Sequence, residues 1–524
     1  MQTKRKTSLL SLLLVFMTAS LQAEVKTPAF FNDHMVLQRN ISVPIWGWAS
    51  PGELINVSFG DQSISTKADK DGKWLLKLKP MEANLEGQTL TIANHSIKNV
   101  LVGEVWICSG QSNMQWRLSG AFNSKEEIAA AKFPAIRQLN LTRTAANLPR
   151  TDVKGEWTVC SPETAKDYTA VGYFFARSLY KSLKIPIGII DASWGGTGIE
   201  PWIPELGFNM VAELEKDKIE LHKILPVNDK NKQKWNDYLD ELESWLPGAE
   251  KRVSQGSLPL NMPDRPDSGM PVTHHGMTKI FNSMIHPIIP YGVRGVVWYQ
   301  GESSWGQGDY YFFKKKALIE SWRELWGQGE FPFYTVQLAN LHKFNEKAEG
   351  GDGYAKIREA QKRSLELPNT GLAVTYDIGN PVNIHPKNKQ DVGKRLSLWA
   401  LAKEYGRKEL VYSGPLFKKL HNSGAEAIVH FSHIGSGLMV GEKKGLEPVK
   451  KTSTALKGFA IAGEDQKWYW ANARISADGK SVIVSSDKVK KVMAVRYAYR
   501  WNPIHSNLYN REGLPAAPFK SDNW

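Results

Sequence analysis

A chain of 524 residues, 42% hydrophobic and 23% charged, exceeds one comfortable core and implies two to four domains at roughly 100 to 200 residues each. Lysine and arginine outnumber aspartate and glutamate by 67 to 53, yet the excess is spread along the chain with only short clusters such as KNKQK and FKKK, which argues against a nucleic-acid partner and fits solubility or attraction to acidic glycans. The two cysteines, Cys108 and Cys160, show no zinc-type spacing and leave open one disulfide in an oxidising compartment.

In chain order, residues 1–23 come first. Lys4, Arg5 and Lys6 precede an apolar stretch of roughly a dozen residues and then small and polar residues up to Ala23, the order of a secretory signal. The mature protein is therefore expected to be secreted or periplasmic. No segment supplies the ~20 uninterrupted apolar residues of a membrane span. Residues 24–100 read as an N-terminal β-sandwich module, because ISVPIWGWA, LINVSFG, QSISTKA, KWLLKLKP and QTLTIANHS are short alternating runs broken by SPGE, GD and DKDGK. No polar cluster of catalytic character lies within it, which points to a structural or positioning role.

Between 101 and 407 strand-like and helical runs alternate: NVLVGEVWICSG, AVGYFFARSLYKSL, IPIGIIDASWGG, GVRGVVWYQGES, KKALIESWRELW, FPFYTVQL, GLAVTYDIG and DVGKRLSLWALAKEYG. This predicts an α/β fold, a parallel sheet flanked by helices, with ligands bound outside the carboxyl ends of its strands. An insertion at about 205–271 is helical over KNKQKWNDYLDELESWL and irregular through Pro259, Pro263, Pro266 and Pro271. Insertions of this kind become lids or specificity walls. Residues 408–524 return to β, with AEAIVHFSH, LKGFAIAGE, KWYWANARIS, SVIVSSD and VMAVRYAYRW, and predict a C-terminal β-rich, sandwich-like module.

Four strand ends carry polar clusters. Ser112 follows VLVGEVWI on a turn, where a hydroxyl meets base and substrate; it lacks the G-x-S-x-G elbow, since Met114 holds the last position, and alone it would read as a helix cap. Gly195 and Gly196 end IDASWGG and can aim backbone N–H groups into a cleft. Gln300 ends VVWYQ with a side-chain amide able to donate to an oxyanion. His385 lies in a loop between strand and helix, after Asp377. Trp194 and Trp202 flank the glycines and Trp298 and Trp305 flank Gln300, which suits either sugar faces or packing. Arg358 is either a fork for a sugar carboxylate or a solvated helix residue. Glu302 and Asp377 also leave a glycosidase conceivable. No Walker loop, dinucleotide fingerprint or metal motif is present, so no cofactor or metal is expected.

These residues carry a resemblance. G-Q-S-N-M after a strand, W-G-G-T-x-I-E-x-W, W-Y-Q-G-E-S, and I-H-P-K-N-K-Q before V-G-x-R-L resemble the motif set of the sialate O-acetylesterases, a branch of the SGNH hydrolase superfamily, from about residue 25 to NLYNREGLPAAPF. The resemblance implies a serine esterase that removes acetyl groups from a carbohydrate, sialic acid being the family's usual association. Ser112 would be the nucleophile and His385 the general base and then acid. The Ser112 N–H, Gly195 or Gly196, and Gln300 would hold the oxyanion, with Asn113, Trp202 and Glu302 beside the substrate. SGNH enzymes commonly carry an aspartate two or three residues before the histidine, but Val382 and Asn383 stand there. Asp377 is the first candidate to orient His385, Glu302 the second, and a Ser–His dyad braced by a backbone carbonyl remains open. Two other readings stand beside the sialate one: deacetylation of a polysaccharide such as acetylated xylan, and a non-catalytic glycan-binding protein that holds sugar through its β modules and 19 tryptophans. The partner expected in every case is a carbohydrate, and oligomeric state is unknown.

Overall fold

The computed structural model describes residues 24–223, 229–266 and 272–524. The expected signal segment 1–23 and Pro271 at the end of the expected insertion lie outside the described residues. The N-terminal part is built of short strands whose alternating sequence shows directly in burial: β1 (Val36–Gln38), β2 (Val43–Trp48), β3 (Leu54–Phe59), β4 (Gln62–Lys67), β5 (Lys73–Leu78) and β6 (Asn84–Ile92). In β5 every second residue, Trp74, Leu76 and Leu78, is buried and its neighbours are exposed. That is the signature of a sheet with one wet face. β2 pairs with β5, while β4, β3 and β6 lead to the long β7 (His95–Gly110).

β7 is the spine of the molecule. Its first half is bonded to β6 and, in parallel, to β1, with Val36 opposite Leu101. Its second half lies at the centre of the main sheet, and burial is continuous from Val100 onward because both faces are covered. The boundary expected at residue 100 therefore falls inside one unbroken strand, and the N-terminal strands share a single apolar core with the main sheet.

The main sheet adds β8 (Phe133–Leu141), β9 (Gly155–Cys160), β10 (Ile187–Ser193), β11 (Gly295–Tyr299), β12 (Phe333–Val336) and β13 (Thr370–Ala373), in the order β13-β12-β11-β7-β10-β8-β9. All neighbours are parallel except β9, which runs antiparallel to β8. Trp106 of β7 meets Phe175 of the helix Ala170–Leu183 and stacks on Tyr334. Trp298, of opposite parity in the β7–β11 register, meets Trp322 of the helix Tyr310–Trp326 on the other face. The sheet is thus sandwiched by helices, as the alternating pattern predicts. After β7 the chain builds outward to one side and from β11 onward to the other, so the topological switch lies beside the end of β7.

The segment after Pro204 contains the helices Glu205–Met210, Glu215–His222 and Asp229–Ser254, and no helix or strand between 255 and 266. Beyond Lys408 the strands Leu416–Ser423, Glu426–Ser432, Ser481–Ser485 and Asn472–Ile475 form one antiparallel sheet, and Trp468–Trp470, Phe459–Ala462, Ala494–Tyr497 and Phe519–Lys520 another. Their buried faces make a second core that also takes in Leu372, Val374 and Tyr376 at the exit of β13. Among the described residues no helix is long and apolar enough to cross a membrane.

Cys108 and Cys160 are both buried and both free. Cys108 lies on β7 and Cys160 at the end of β9, with β10 and β8 between them, roughly 14 Å at three strand spacings and beyond disulfide reach. Burial pushes both thiols up, Cys160 to about 12.

Candidate active site

β7 delivers Ser112 through Gly110, which has φ +132° and so close an approach to β11 that a Cβ would sit 2.2 Å from the Tyr299 carbonyl oxygen. Gln111 then locks the two strand ends together. Its N–H donates to the Tyr299 carbonyl at 2.9 Å, and its side-chain oxygen accepts the N–H groups of Gly301 and Ser303 at 3.2 and 3.3 Å. Ser112 opens a short helix, Ser112–Gln115. From the loop after β13, His385 places Nε2 2.8 Å from Ser112 Oγ, a contact across 273 positions of sequence. Trp116 stacks on the imidazole at 5.1 Å with the planes 21° apart. Burial, and then the charge of Lys389, hold the His385 pKa below the ordinary histidine value, so the ring is neutral and basic near neutrality.

No hydrogen bond reaches His385 Nδ1 among the described residues. Asp377, the first candidate for that place, is taken instead by Arg395: the two guanidinium nitrogens donate to its two oxygens at 2.6 and 2.7 Å, and Tyr509 adds its hydroxyl at 3.4 Å. The short turn Tyr376–Ile378 leaves Asp377 beside the helix Lys389–Lys403 rather than beside the imidazole. Glu302, the second candidate, acts one residue removed. Its Oε1 accepts a hydrogen bond from Asn113 Nδ2 at 2.5 Å, and the same Nδ2 donates to the Ile384 carbonyl at 2.9 Å, directly before His385. Lys389 Nζ donates to Asn113 Oδ1 at 2.5 Å and lies 5.2 Å from the Tyr299 ring centroid. The three side chains are 0–6% exposed, so Asn113 and Glu302 are braces behind the site rather than substrate contacts. With Glu302 and Asp377 both engaged in this way, the paired, cleft-facing acids of a glycosidase are not assembled.

The oxyanion side is also revised. Gly195 lies against Ser112, where a Cβ would meet Ser112 Cβ at 3.2 Å, and its N–H donates to the Gln115 side-chain oxygen at 2.6 Å. Gly196, at φ +78°, has an open face where a Cβ would meet nothing within 4 Å. Gln300 is fully buried with its amide spent: Nε2 donates to the Thr197 carbonyl at 3.2 Å and Ser304 Oγ at 3.0 Å, while Oε1 accepts from Tyr311 at 2.8 Å. It ties the glycine turn to the β11 exit and has no donor left for an oxyanion. Trp202, expected beside substrate, is likewise fully buried, edge-on to Trp298 at 5.9 Å and donating Nε1 to Thr197 Oγ1 at 3.1 Å.

Aromatic clusters follow the strands on either side of β7, after β10 and after β11. Trp194 stacks on His274 at 4.9 Å and 8°, and His275 follows at 4.0 Å. On the other side Trp305, 48% exposed, lies 5.2 Å from Trp501 of the C-terminal module, and Trp501 meets His342 at 4.4 Å. Arg358 is neither solvated nor facing a sugar. Fully buried, it donates to the carbonyls of Leu338, Ala339, Arg500 and Trp501, and so pins the C-terminal module to the β12 exit. Trp116, Lys389, His274 and Trp501 were missed in the sequence; only Trp116, four residues beyond Ser112, and the His274–His275 pair after the insertion carried a local signal. Among the described residues no group of three or more His, Cys, Asp or Glu side chains is placed to hold a metal.

Comparison with known proteins agrees with this architecture. Residues 102–263 and 270–401 match the family described as "Carbohydrate esterase, sialic acid-specific acetylesterase". The chain is similar to the sialate O-acetylesterases of Homo sapiens, 30% identical over 94% of this chain and 91% of that one, and Rattus norvegicus, 29% identical over 97% of each. It is also similar to a solved structure described as a novel carbohydrate acetylesterase from Xanthomonas citri, with 36% identity, a TM-score of 0.77, and coverage of 96% of this chain and 100% of that chain.

Proposed function

Because the chain belongs to the sialic acid-specific acetylesterase family of carbohydrate esterases, and so is a carboxylic ester hydrolase that removes O-acetyl groups from carbohydrate, we propose that it is an exported serine esterase acting on acetylated sialic acid through an acetyl-serine intermediate. In this reading Ser112 Oγ attacks the acetyl carbonyl as its proton passes to His385 Nε2. The negative oxygen that forms is held by the Ser112 N–H and the open Gly196 turn. Each such donor contributes about 3 to 4 kcal/mol of transition-state stabilisation. The imidazolium returns its proton to the departing sugar oxygen, and His385 then activates water to release acetate and free serine.

The observation that carries the reading is the 2.8 Å contact between a strand-end hydroxyl and a neutral imidazole. Arg143 favours an anionic sugar: its Nε is anchored to the Ser193 carbonyl at 2.9 Å, and it leaves β8 on the same edge, two strand spacings or about 10 Å from β7. A second reading, an acetylated polysaccharide, is favoured by the exposed Trp305 and two nearby ring pairs, Trp501 with His342 and Phe344 with Trp470. Release of 4-nitrophenol from its acetate by wild type and Ser112→Ala tests the chemistry, and equal rates refute the serine mechanism. Acetate release from acetylated sialic acid against acetylated xylan decides the substrate.

A further inference from the structure

Among the described residues no acid orients the far nitrogen of His385, yet its loop is held firmly. The hold comes from Asn113, the residue after the nucleophile. One side of its amide donates to the carbonyl of Ile384 and to Glu302, and the other side accepts from Lys389. Lys389 opens the helix that follows the histidine loop, and Glu302 follows β11, so three separate elements meet at one amide. The Asn383 side chain closes the loop on itself by accepting the His385 N–H at 2.8 Å.

We propose that Asn113, Lys389 and Glu302 form a positioning relay in place of an acid on the imidazole: Asn113 fixes the general base relative to the nucleophile, and the Lys389 cation, bonded to that amide, sets the charge beside the base. The proposal rests on the serine-esterase reading and adds residues to it. An amide is required at 113 because the site needs an acceptor toward Lys389 and donors toward both a carboxylate and a carbonyl, a combination a carboxylate or a hydroxyl cannot supply together.

The charged groups around His385 are few. Lys389 comes from the following helix, Glu302 from the β11 exit, and Lys387, solvent-exposed, from its own loop. Asp377 with Arg395 and Asp391 with Lys443 are paired among themselves. Burial lowers the Lys389 pKa to about 7, with Glu302 opposing the shift, so the lysine gains its charge as the pH falls into the acidic range. There it opposes imidazolium formation, and its removal raises the His385 pKa.

The test is the pH profile of kcat/KM for 4-nitrophenyl acetate, measured on the full chain. Lys389→Gln keeps a hydrogen-bond donor without charge and Lys389→Met removes both. In either variant the acid limb is expected to move to higher pH, on the order of 0.5 to 1 unit. Asn113→Ala, checked as folded by circular dichroism, is expected to lose kcat on the order of 10²-fold with KM little changed, as for a misplaced catalytic group. The double variant Asn113→Asp with Glu302→Gln restores charge balance and a bond between those two positions but not the grip on Ile384. It is expected to stay slow, whereas a purely structural role predicts recovery. An acid limb that stays put or moves down, a folded Asn113→Ala with wild-type kcat, or recovery in the double variant overturns the proposal. An active Ser112→Ala overturns the esterase reading itself.

Discussion

Replacing Asp377 separates a structural acid from a catalytic one. Its carboxylate is 3% exposed and its partner Arg395 is 7% exposed, joined by two short parallel hydrogen bonds. Asp377→Asn keeps the volume but leaves a guanidinium buried without its counter-charge, and breaking such a pair costs about 3 to 5 kcal/mol. That is a large share of a margin of about 5 to 15 kcal/mol. The remaining enzyme should nonetheless turn over 4-nitrophenyl acetate within a few-fold of wild type, because Asp377 does not touch His385. A true triad acid would give the opposite pattern, with stability kept and kcat lowered by about 10⁴-fold. Urea unfolding and active-site-titrated kcat, measured on the same preparation, distinguish the two. A second variant, Asp377→Asn with Arg395→Gln, removes the unpaired charge and should recover much of the stability. A folded, stable Asp377→Asn enzyme that has lost three or four orders of magnitude in kcat would refute the assignment.

The kcat/KM of the wild type should rise with pH as His385 loses its proton, with its midpoint below the ordinary histidine value of about 6.5, because burial and Lys389 both disfavour the charged ring; a profile from pH 4 to 8 on an uncharged ester checks the sign. Trp305→Ala should raise KM for acetylated xylan several-fold and leave 4-nitrophenyl acetate unaffected if the exposed ring stacks on sugar, and identical KM values would remove the ring from recognition. Ellman's reagent should find no reactive thiol in the native protein and two after unfolding in guanidinium without reductant, since both cysteines are buried, unpaired and shifted away from the reactive thiolate.

The sheet was legible because a strand covered on both faces must be apolar along its length, and runs such as GIIDAS and GVVWY show this without reference to any partner. The polar strand ends were legible for the same reason: polarity resumes abruptly where the sheet stops. What was not legible depended on the occupant of the opposite wall. Gln300 has a suitable amide, but Thr197, Ser304 and Tyr311 consume it. Trp202 stands in a glycine-rich motif, but its ring faces Trp298 in the core. Asp377 lies eight positions before His385, but Arg395 of the next helix holds both its oxygens. The boundary at 100 was drawn where alternation gives way to continuous apolarity, and that change marks the passage of β7 from a one-sided to a two-sided environment, not a break in the chain.

The second core gathers strands from the last hundred residues together with Leu372, Val374 and Tyr376, from which the histidine loop springs. Ala373 and Ile378 before that loop, and Val392 and Leu396 after it, belong to the first core. His385 is thus carried on a bridge between two packed bodies, and a lesion in either one reaches the Ser112–His385 contact.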